Sequence, residues 1–323
     1  MIKNILITGG AGYIGSHIAE TLIKNKKKIY IFDNLSTGSR KLINKKANFY
    51  KIDILQKDKI KKIIDKNNID SIIHLAASLI ISEGEIKPKK YFRNNVTGTK
   101  NLLLACQNTL IKNFIFSSTA AVYKDGQYKV NENSIIKPQT VYGKTKIKGE
   151  KLVQSFCKKN KINYGILRYF NIAGSSPSGK IGLLNKGDNL FKNFSKQIMK
   201  KNPTLKIYGG DYNTKDGSCI RDFIHVNDIA EIHYKVLNQI DKTKKSKVLN
   251  CGYNKGNSVL DVAKEFKRQS SKKVKILIIK RRKGDLVKII ASNKKLIKFI
   301  KWRPKYNKLS KIVQSCLNWE KRQ

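Results

Sequence analysis

A tyrosine and a lysine four residues apart are the pair in this sequence best suited to do chemistry. They are Tyr142 and Lys146, in the stretch "QTVYGKTKIKGE". On a helix, side chains at this spacing lie on one face, with Cβ atoms about 5–6 Å apart. A phenol is a poor base at neutral pH because its pKa is about 10. An ammonium group about 4 Å away, at an effective dielectric of about 20, supplies about the 4 kcal/mol needed to lower that pKa to near 7.

The pair stands out even though lysine is abundant throughout the chain. Of the 14 tyrosines, Tyr142 alone has a lysine four positions later. The predicted strand that ends "IFSST" supplies Thr119, whose hydroxyl can share the hydrogen bond of a substrate hydroxyl with the phenol. The alternative interpretation is two neighbours on a solvated helix face. Hydroxyl, phenol and ammonium together favour a phenol that acts as a base.

A glycine-rich turn follows the first predicted strand and opens the first predicted helix. In "TGGAGYIGSH", Gly9, Gly12 and Gly15 form the pattern G-x-x-G-x-x-G. Such a turn lets the backbone approach a pyrophosphate, and the helix N-terminus offers free N–H groups. Asp33 ends the second predicted strand, where a carboxylate accepts hydrogen bonds from an adenosine ribose and repels a 2′-phosphate. Glycines as simple turn residues are the alternative, but the combination predicts NAD as cofactor.

Short apolar runs that do not alternate with polar residues recur through the first half of the chain, separated by helix-like segments. This rhythm is typical of parallel strands covered on both faces, so we predict an α/β fold with a doubly wound, Rossmann-like parallel sheet. The rhythm becomes irregular after Asn171, in the loop-like stretch "IAGSSPSGKIG". We therefore predict an NAD-binding domain over residues 1–171 and a smaller α/β substrate domain over 172–323. Parts of about 220–255 are expected to return to the first sheet.

The composition excludes several classes of protein. The chain has 323 residues, of which 40% are hydrophobic, as expected for a soluble globular protein and against disorder. No apolar run approaches the ~18 residues of a membrane helix, and the N-terminal run is too short for a signal peptide. We therefore predict a cytoplasmic protein with no membrane partner. The five cysteines form no C-x-x-C pair, so neither a metal site nor a disulfide framework is predicted.

The formal net charge of +46 raises the alternative of a protein that binds nucleic acid or another polyanion. The excess is mainly lysine and runs along the whole chain, and no basic block alternates with aromatic residues. We interpret it as compositional drift over an ordinary enzyme, with no nucleic acid expected. A non-catalytic dinucleotide-fold protein that binds polyanions stays open as the distant alternative, and tight, strongly salt-dependent nucleic-acid binding would favour it.

Motifs along nearly the full length resemble the extended short-chain dehydrogenase/reductase family and, within it, the UDP-glucose 4-epimerases, also called UDP-galactose 4-epimerases. The motifs that carry the resemblance are "TGGAGYIGSH", "DNLSTG", "KPKKYFRNN", "NFIFSSTAAVY", "VYGKTK", "LRYFN", "DGSCIRDFIHV", "GNSVLDV" and "RRKGDL". The later ones are the most specific, because they belong to the nucleotide-sugar lobe. The resemblance implies reversible C4 epimerisation of UDP-galactose and UDP-glucose through a transient 4-keto sugar, with tightly bound NAD. It also implies a homodimer.

The resemblance assigns roles to individual residues. Tyr142 would be the acid and base, Lys146 would lower its pKa and hold the nicotinamide ribose, and Thr119 would hold the sugar hydroxyl. The implied cofactor contacts are Gly9, Gly12, Tyr13, Ile14, Gly15, Asp33, Asn34, Leu35, Ser36, Thr37, Gly38, Asp53, Ile54, Leu75, Ala76, Ala77, Asn94, Tyr142, Lys146 and Phe170. The implied UDP-sugar contacts are Thr119, Tyr142, Asn171, Asn189, Leu190, Tyr208, Arg221, Arg282 and Asp285. Apart from any family, the guanidinium forks of Arg221 and Arg282 suit a diphosphate.

Departures from the family pattern bear on the reaction and the substrate. Ala120 and Ala121 stand where family dehydratases carry an Asp-Glu pair, which favours simple inversion over elimination. Leu79 stands where many members of the family have a polar or basic residue, and Lys124 stands where the family usually has glycine. Ile289 falls at the position that gates pocket size, where its intermediate volume predicts mainly UDP-galactose and UDP-glucose. A 4-epimerase of UDP-N-acetylhexosamines or UDP-uronic acids stays open as the alternative.

Overall fold

The computed structural model describes residues 2–184, 189–282 and 285–323. The strands are β1 (Asn4–Thr8), β2 (Lys28–Asp33), β3 (Asn48–Lys51), β4 (Ser71–His74), β5 (Asn113–Thr119), β6 (Lys129–Val130), β7 (Asn163–Tyr169), β8 (Asn171–Ala173), β9 (Thr204–Tyr208), β10 (Ile220–Arg221), β11 (Phe223–His225), β12 (Lys247–Cys251), β13 (Asn257–Ser258), β14 (Lys275–Ile279) and β15 (Lys288–Ala291). The helices are α1 (Tyr13–Lys24), α2 (Lys57–Lys66), α3 (Ile81–Ile86), α4 (Pro88–Phe92), α5 (Gly98–Ala105), α6 (Val141–Lys159), α7 (Leu190–Met199), α8 (Val226–Thr243), α9 (Val259–Arg268), α10 (Lys294–Ile300) and α11 (Leu309–Glu320). Across these three ranges, no helix has the length and apolar character needed to cross a bilayer.

Seven strands form one parallel sheet in the order β12-β7-β5-β4-β1-β2-β3. The order reverses between β1 and β4, so the loops that follow these two strands diverge and leave a crevice at their carboxyl ends. Thr8 pairs with His74 in register at that edge, which places the glycine turn beside the loop after β4. The sheet confirms the predicted α/β, Rossmann-like fold class.

Both faces of the large sheet are covered by apolar helix faces, which explains why its strands are apolar without alternation. Helices α1, α8 and α10 pack on one face through residues such as Ile18, Ile232 and Leu296. Helices α2, α5 and α6 pack on the other face, through residues such as Ile60 and Val153. The carboxyl edge between these layers therefore stays open for loops that carry polar groups.

A second region contains smaller sheets and its own core. A four-stranded sheet has the order β13-β10-β15-β6, and two parallel pairs join β11 to β8 and β14 to β9. Helices α7, α9 and α11 enclose a separate apolar cluster that includes Phe194, Phe266 and Val313. Within the segment predicted to return to the first sheet, β12 lies in the large sheet, whereas β10 lies in the four-stranded sheet and β11 pairs with β8. The domain limits at 171 and 172 stay a prediction.

Candidate active site

The glycine turn after β1 is shaped so that side chains cannot enter it. Gly9 has φ +72°, and a Cβ added there would lie 2.8 Å from the backbone nitrogen of Ala76. A Cβ on Gly15 would lie 2.4 Å from the carbonyl oxygen of Gly9. Gly12 is the N-cap of α1, whose first-turn N–H groups lack partners within the helix and so favour an anion. This cradle fits the pyrophosphate of a dinucleotide, and Ile14 lies in the first turn beside it.

Asp33, at the end of β2, organises the loop predicted to hold an adenosine ribose. Its Oδ2 accepts a hydrogen bond from the Ala11 N–H (3.0 Å), and its Oδ1 accepts one from the Leu35 N–H (2.8 Å). A Cβ on Gly38 would lie 2.9 Å from both of these oxygens. Burial raises the pKa of Asp33, and the two backbone hydrogen bonds act in the opposite direction. The carboxylate thus lies in a tight cradle, with Ser36 and Thr37 on the exposed part of the same loop.

The loops after β3 and β4 complete the predicted cofactor cleft. Asn34 donates to the carboxylate of Asp53 (2.8 Å), which brings these two predicted adenosine contacts together; Ile54 beside them is buried. In the loop after β4, which begins with Leu75, Ala76 and Ala77, the Ser78 hydroxyl accepts a hydrogen bond from Asn94 (3.1 Å). Asn94 itself lies in a π-helical turn between α4 and α5, a distortion often found at functional sites.

Tyr142 and Thr119 lie together at the carboxyl end of β5. Thr140 caps α6 by accepting a hydrogen bond from the Gly143 N–H (3.1 Å), so the helix begins immediately before Tyr142. Burial raises the pKa of Tyr142 to about 12, while a side-chain hydrogen bond with Thr119 lowers it. The buried Phe170 packs nearby against Ala120 in a small apolar cluster. The structure thus brings the predicted phenol and hydroxyl into contact.

Lys146 lies on the same helix face as Tyr142, and its side chain is buried. Its Nζ donates to the carbonyl oxygen (2.9 Å) and hydroxyl (3.4 Å) of Ser117, and it lies 5.9 Å from the centre of the Tyr142 ring. Burial lowers the pKa of Lys146 to about 7, and Glu150 raises it. Burial disfavours the charged forms of both side chains. In the polypeptide alone the pKa of Tyr142 is therefore raised, and it is not lowered to near 7 as the spacing predicted. The roles assigned to this pair stay a prediction.

Four of the predicted UDP-sugar contacts form one cluster in the second region. Arg282 donates to Asp285 (3.0 Å) and lies over the ring of Tyr208, 4.6 Å from its centre. Arg221, from β10, approaches the same carboxylate at 3.9 Å. Two guanidinium groups around one carboxylate and one aromatic ring can hold a diphosphate beside a nucleoside.

The remaining predicted sugar contacts lie where β8 meets α7. Asn189 caps α7 by accepting from the Lys192 N–H (3.1 Å), and its amide donates to the Ile172 carbonyl (3.3 Å). That places Asn189 beside Asn171, while Leu190 begins the helix. Tyr13 links this loop to the glycine turn, since its hydroxyl donates to the carbonyl of Gly174 (2.5 Å). The cofactor and sugar regions are therefore joined directly.

Sequence reasoning missed three residues that support the site. Ser117 accepts from Lys146, and Asn95 joins the loop after β4 to α6 by accepting from the Ser78 N–H (2.7 Å) and donating to Thr145 (3.0 Å). Glu150 is the third, four residues after Lys146. The repeat of the four-residue spacing was the available signal for Glu150. Nothing local distinguished the other two.

Comparison with known proteins agrees with this geometry. The model of the NAD dependent epimerase/dehydratase family matches residues 5–252. A UDP-glucose 4-epimerase of Azospirillum brasilense is 34% identical, and the alignment covers 98% of this chain and 92% of that protein. The chain belongs to the NAD dependent epimerase/dehydratase family.

Solved structures extend the family match to the whole fold. The UDP-glucose 4-epimerase of Bifidobacterium longum, in complex with NAD⁺ and UDP, superposes with a TM-score of 0.92 at 30% identity, covering 99% of both chains. The UDP-Glc/GlcNAc 4-epimerase of Campylobacter jejuni superposes with a TM-score of 0.86 at 37% identity, covering 99% of this chain and 100% of that one. The likeness includes both regions, so the epimerase resemblance inferred from the motifs is confirmed.

Proposed function

We propose that this chain interconverts UDP-galactose and UDP-glucose by inverting the sugar C4, with Tyr142, Lys146 and Thr119 as its reactive set. The chain belongs to the epimerase family and is similar to UDP-glucose 4-epimerases over nearly its full length. It is therefore an NAD-dependent UDP-sugar 4-epimerase. The observation that carries the residue assignment is the contact between Tyr142 and Thr119 at the sheet edge that also presents the glycine turn.

NAD fits this site, because the turn around Gly9 and Gly15 is backbone only and Asp33 can accept ribose hydroxyls. When bound, it supplies a hydride acceptor and donor for C4 of the sugar. The phenol oxygen of Tyr142 takes the proton of the sugar 4-hydroxyl and later returns it. The Lys146 ammonium favours the phenolate, and the burial of Lys146 limits the access of water to the pair.

The sugar end must hold a diphosphate firmly while the hexose presents either face to the same phenol. Arg221 and Arg282 supply charge-assisted hydrogen bonds for the diphosphate, and Asp285 between them suits the uridine ribose. Asn171, Asn189 and Leu190, where β8 meets α7, are the proposed contacts of the sugar itself. Inversion then follows from rotation about the anchored diphosphate.

The test is conversion of UDP-galactose to UDP-glucose by purified protein without added NAD. We expect conversion, and we expect Tyr142→Phe to reduce kcat by about 10²–10⁴-fold, since the acid and base group is lost. The matched control is Tyr128→Phe, an exposed phenol outside the site. Full activity of Tyr142→Phe would refute the assignment, whereas loss of activity in both variants would show a general effect of removing a phenol.

A second candidate function is 4-epimerisation of N-acetylated UDP-hexoses. Ile289 pairs in register with Arg221 and packs in the cluster that contains Ala120 and Phe170, so its volume limits the space beside the reactive set. The relative from Campylobacter jejuni is a UDP-Glc/GlcNAc 4-epimerase. We expect UDP-N-acetylgalactosamine to turn over more slowly than UDP-galactose, and Ile289→Ala to raise that ratio. An equal rate on both substrates in the unaltered protein would make the second candidate the better one.

We further propose a cytoplasmic homodimer, as the family resemblance implies. Helices α5 and α6 carry the segments expected to pack between two copies, and Leu104 on α5 is exposed in the single chain. Sedimentation at micromolar concentration tests this proposal. A monomer there, or no change in association with Leu104→Lys, would contradict it.

A further inference from the structure

Tyr142, Lys146 and Glu150 recur at four-residue intervals along α6 and so share one face of that helix. We propose that Glu150 is a positioning residue that keeps Lys146 charged and aligned toward Tyr142. The catalytic meaning of this role rests on the proposed function, but the role itself concerns the ionisation of one lysine. It can therefore be tested without any substrate.

Glu150 is held by three hydrogen bonds at the base of the site. Its Oε1 accepts from the Ser118 hydroxyl (2.5 Å) and from Nε of Arg168 (2.9 Å), and its Oε2 accepts from Nη2 of Arg168 (2.7 Å). The side chains of Glu150 and Arg168 are 2% and 6% exposed, respectively. A bidentate pair this deeply buried has a fixed geometry, because neither group can exchange its partner for water.

The position of the pair connects the elements that carry the reactive set. Ser118, from β5, directly precedes Thr119, and Arg168 lies on β7, the strand beside β5. Arg168 also donates to the Tyr123 hydroxyl (3.1 Å), which in turn donates to Asn250 (2.6 Å) on β12. Glu150 therefore fixes α6 directly against β5 and β7, one helical turn beyond Lys146, and Arg168 and Tyr123 continue the network to β12.

The charge of Glu150 matters because Lys146 is in an environment that opposes its own charge. Burial lowers the pKa of Lys146 to about 7, and Glu150 raises it. On β4, burial and then Lys146 lower the pKa of His74 to about 3, so this neighbour is neutral near pH 7. On α6 itself, Tyr142 is the other titratable neighbour of Lys146. Two more phenols, Tyr91 from α4 and Tyr169 from β7, face the Tyr142 side.

Arg168 and Glu150 can be separated by a pair of variants that break the same ion pair. Glu150→Gln removes the negative charge near Lys146. Arg168→Met leaves that charge in place and removes the guanidinium that is paired with it. Both should lower stability, since each disrupts a buried hydrogen-bonded pair. Only Glu150→Gln should lower the pKa of Lys146. Glu150→Asp keeps the negative charge and should therefore lower the pKa of Lys146 less than Glu150→Gln does.

The primary readout is the ¹³C chemical shift of lysine Cε in protein labelled at that position, followed from pH 5 to 10. The resonance of Lys146 is identified by its absence in Lys146→Met and by its titration near neutrality, below the other lysines. We expect its midpoint to fall by about one pH unit in Glu150→Gln and to stay or rise in Arg168→Met. An unchanged midpoint in Glu150→Gln, or an equal fall in both variants, would overturn the proposal.

The enzymatic readout is the basic limb of the pH profile of kcat/KM on UDP-galactose. We expect Glu150→Gln to move this limb to lower pH, with about fivefold less activity than the unaltered protein one pH unit above the new midpoint. Glu265→Gln, which removes a carboxylate paired with Arg268 on the surface of α9, is the matched control and should leave the limb in place. A uniform loss of activity at every pH in Glu150→Gln would indicate a merely structural role. If the lysine resonance shifts but even the unaltered protein is inactive, the proposed function fails and the role of Glu150 stands.

Discussion

The proposed cofactor end and the proposed sugar end of this molecule are built in different ways. At the cofactor end, the decisive groups are backbone atoms of one turn, and Gly9 and Gly15 leave no space there for a Cβ. At the sugar end, the decisive groups are long side chains: Arg221 from β10 approaches Asp285, which pairs with Arg282 from the same stretch before β15, and Arg282 lies over the ring of Tyr208. One end is continuous in sequence, whereas the other is assembled by the fold.

This difference has consequences for rigidity and for tolerance to change. A backbone cradle at a strand end has one conformation, so a single added methyl group disrupts it. A cluster of side chains can adjust its rotamers, and the Arg282 side chain is 49% exposed. We therefore expect a single added methyl group to impair the cofactor end, whereas the sugar end requires loss of a charged group.

Acid should destabilise the whole fold, and so both ends together, because its four histidines are buried. Burial lowers the pKa of His17, His74, His225 and His233 to about 4, 3, 3 and 4. The unfolded chain binds protons at these groups below pH ~6.5 and the folded chain does not, so stability is full above that pH and falls as the pH drops toward 4. Each histidine should lower the free energy of unfolding by about 2 kcal/mol at pH 5. The loss is measured by comparing urea unfolding midpoints at pH 7 and pH 5.

A control for this prediction is His233→Gln, which removes one of the four groups and should reduce the loss between pH 7 and pH 5. His233 bonds to the Tyr169 hydroxyl (2.7 Å) and to the Ile229 carbonyl (2.8 Å), and neither contact involves the glycine turn. A stability that does not change between these pH values would contradict the assignment of neutral buried histidines.

Gly15→Ala should weaken cofactor binding. The new methyl group would lie 2.4 Å from the Gly9 carbonyl and 2.7 Å from the Gly10 Cα, which forces the turn apart. Overpacking of this kind costs about 1–3 kcal/mol, or about ten- to hundredfold in NAD affinity, measured by calorimetry. Gly126→Asn is the control, since a Cβ there meets nothing within 4 Å and asparagine tolerates its positive φ of 82°. Unchanged NAD binding in Gly15→Ala would show that the turn is not the pyrophosphate cradle.

Arg221→Met should impair the sugar end and leave the cofactor end unchanged. Loss of one charge-assisted contact to a diphosphate is worth about 1.5–3 kcal/mol, so we expect KM for UDP-galactose to rise about ten- to hundredfold with NAD affinity unchanged. Arg268→Met on the surface of α9 is the matched control and should leave both quantities as they are. A change in NAD affinity but not in KM would reverse the assignment of the two ends.

The large sheet was readily predicted because its signals are local. Non-alternating apolar runs mark buried parallel strands, and β1, β2, β4, β5 and β7 all fall within such runs. The two-residue strands β10 and β13 escaped prediction, since so short a pairing depends on which segments the fold brings together. The same limit applies to the site, where the contacts of Asn95 and Ser117 gave no signal in the sequence.

By itself, the sequence determined the glycine turn, the position of Asp33 after β2 and the shared face of Tyr142 and Lys146. Each of these follows from spacing within one strand, turn or helix, where geometry is set by the backbone. Only the tertiary structure decided which charges are buried and what they meet. The raised pKa of Tyr142, the lowered pKa of Lys146 and the ion pair of Glu150 with Arg168 all depend on exclusion of water by segments distant in the chain. Desolvation is a property of the packed molecule, so no spacing rule encodes it.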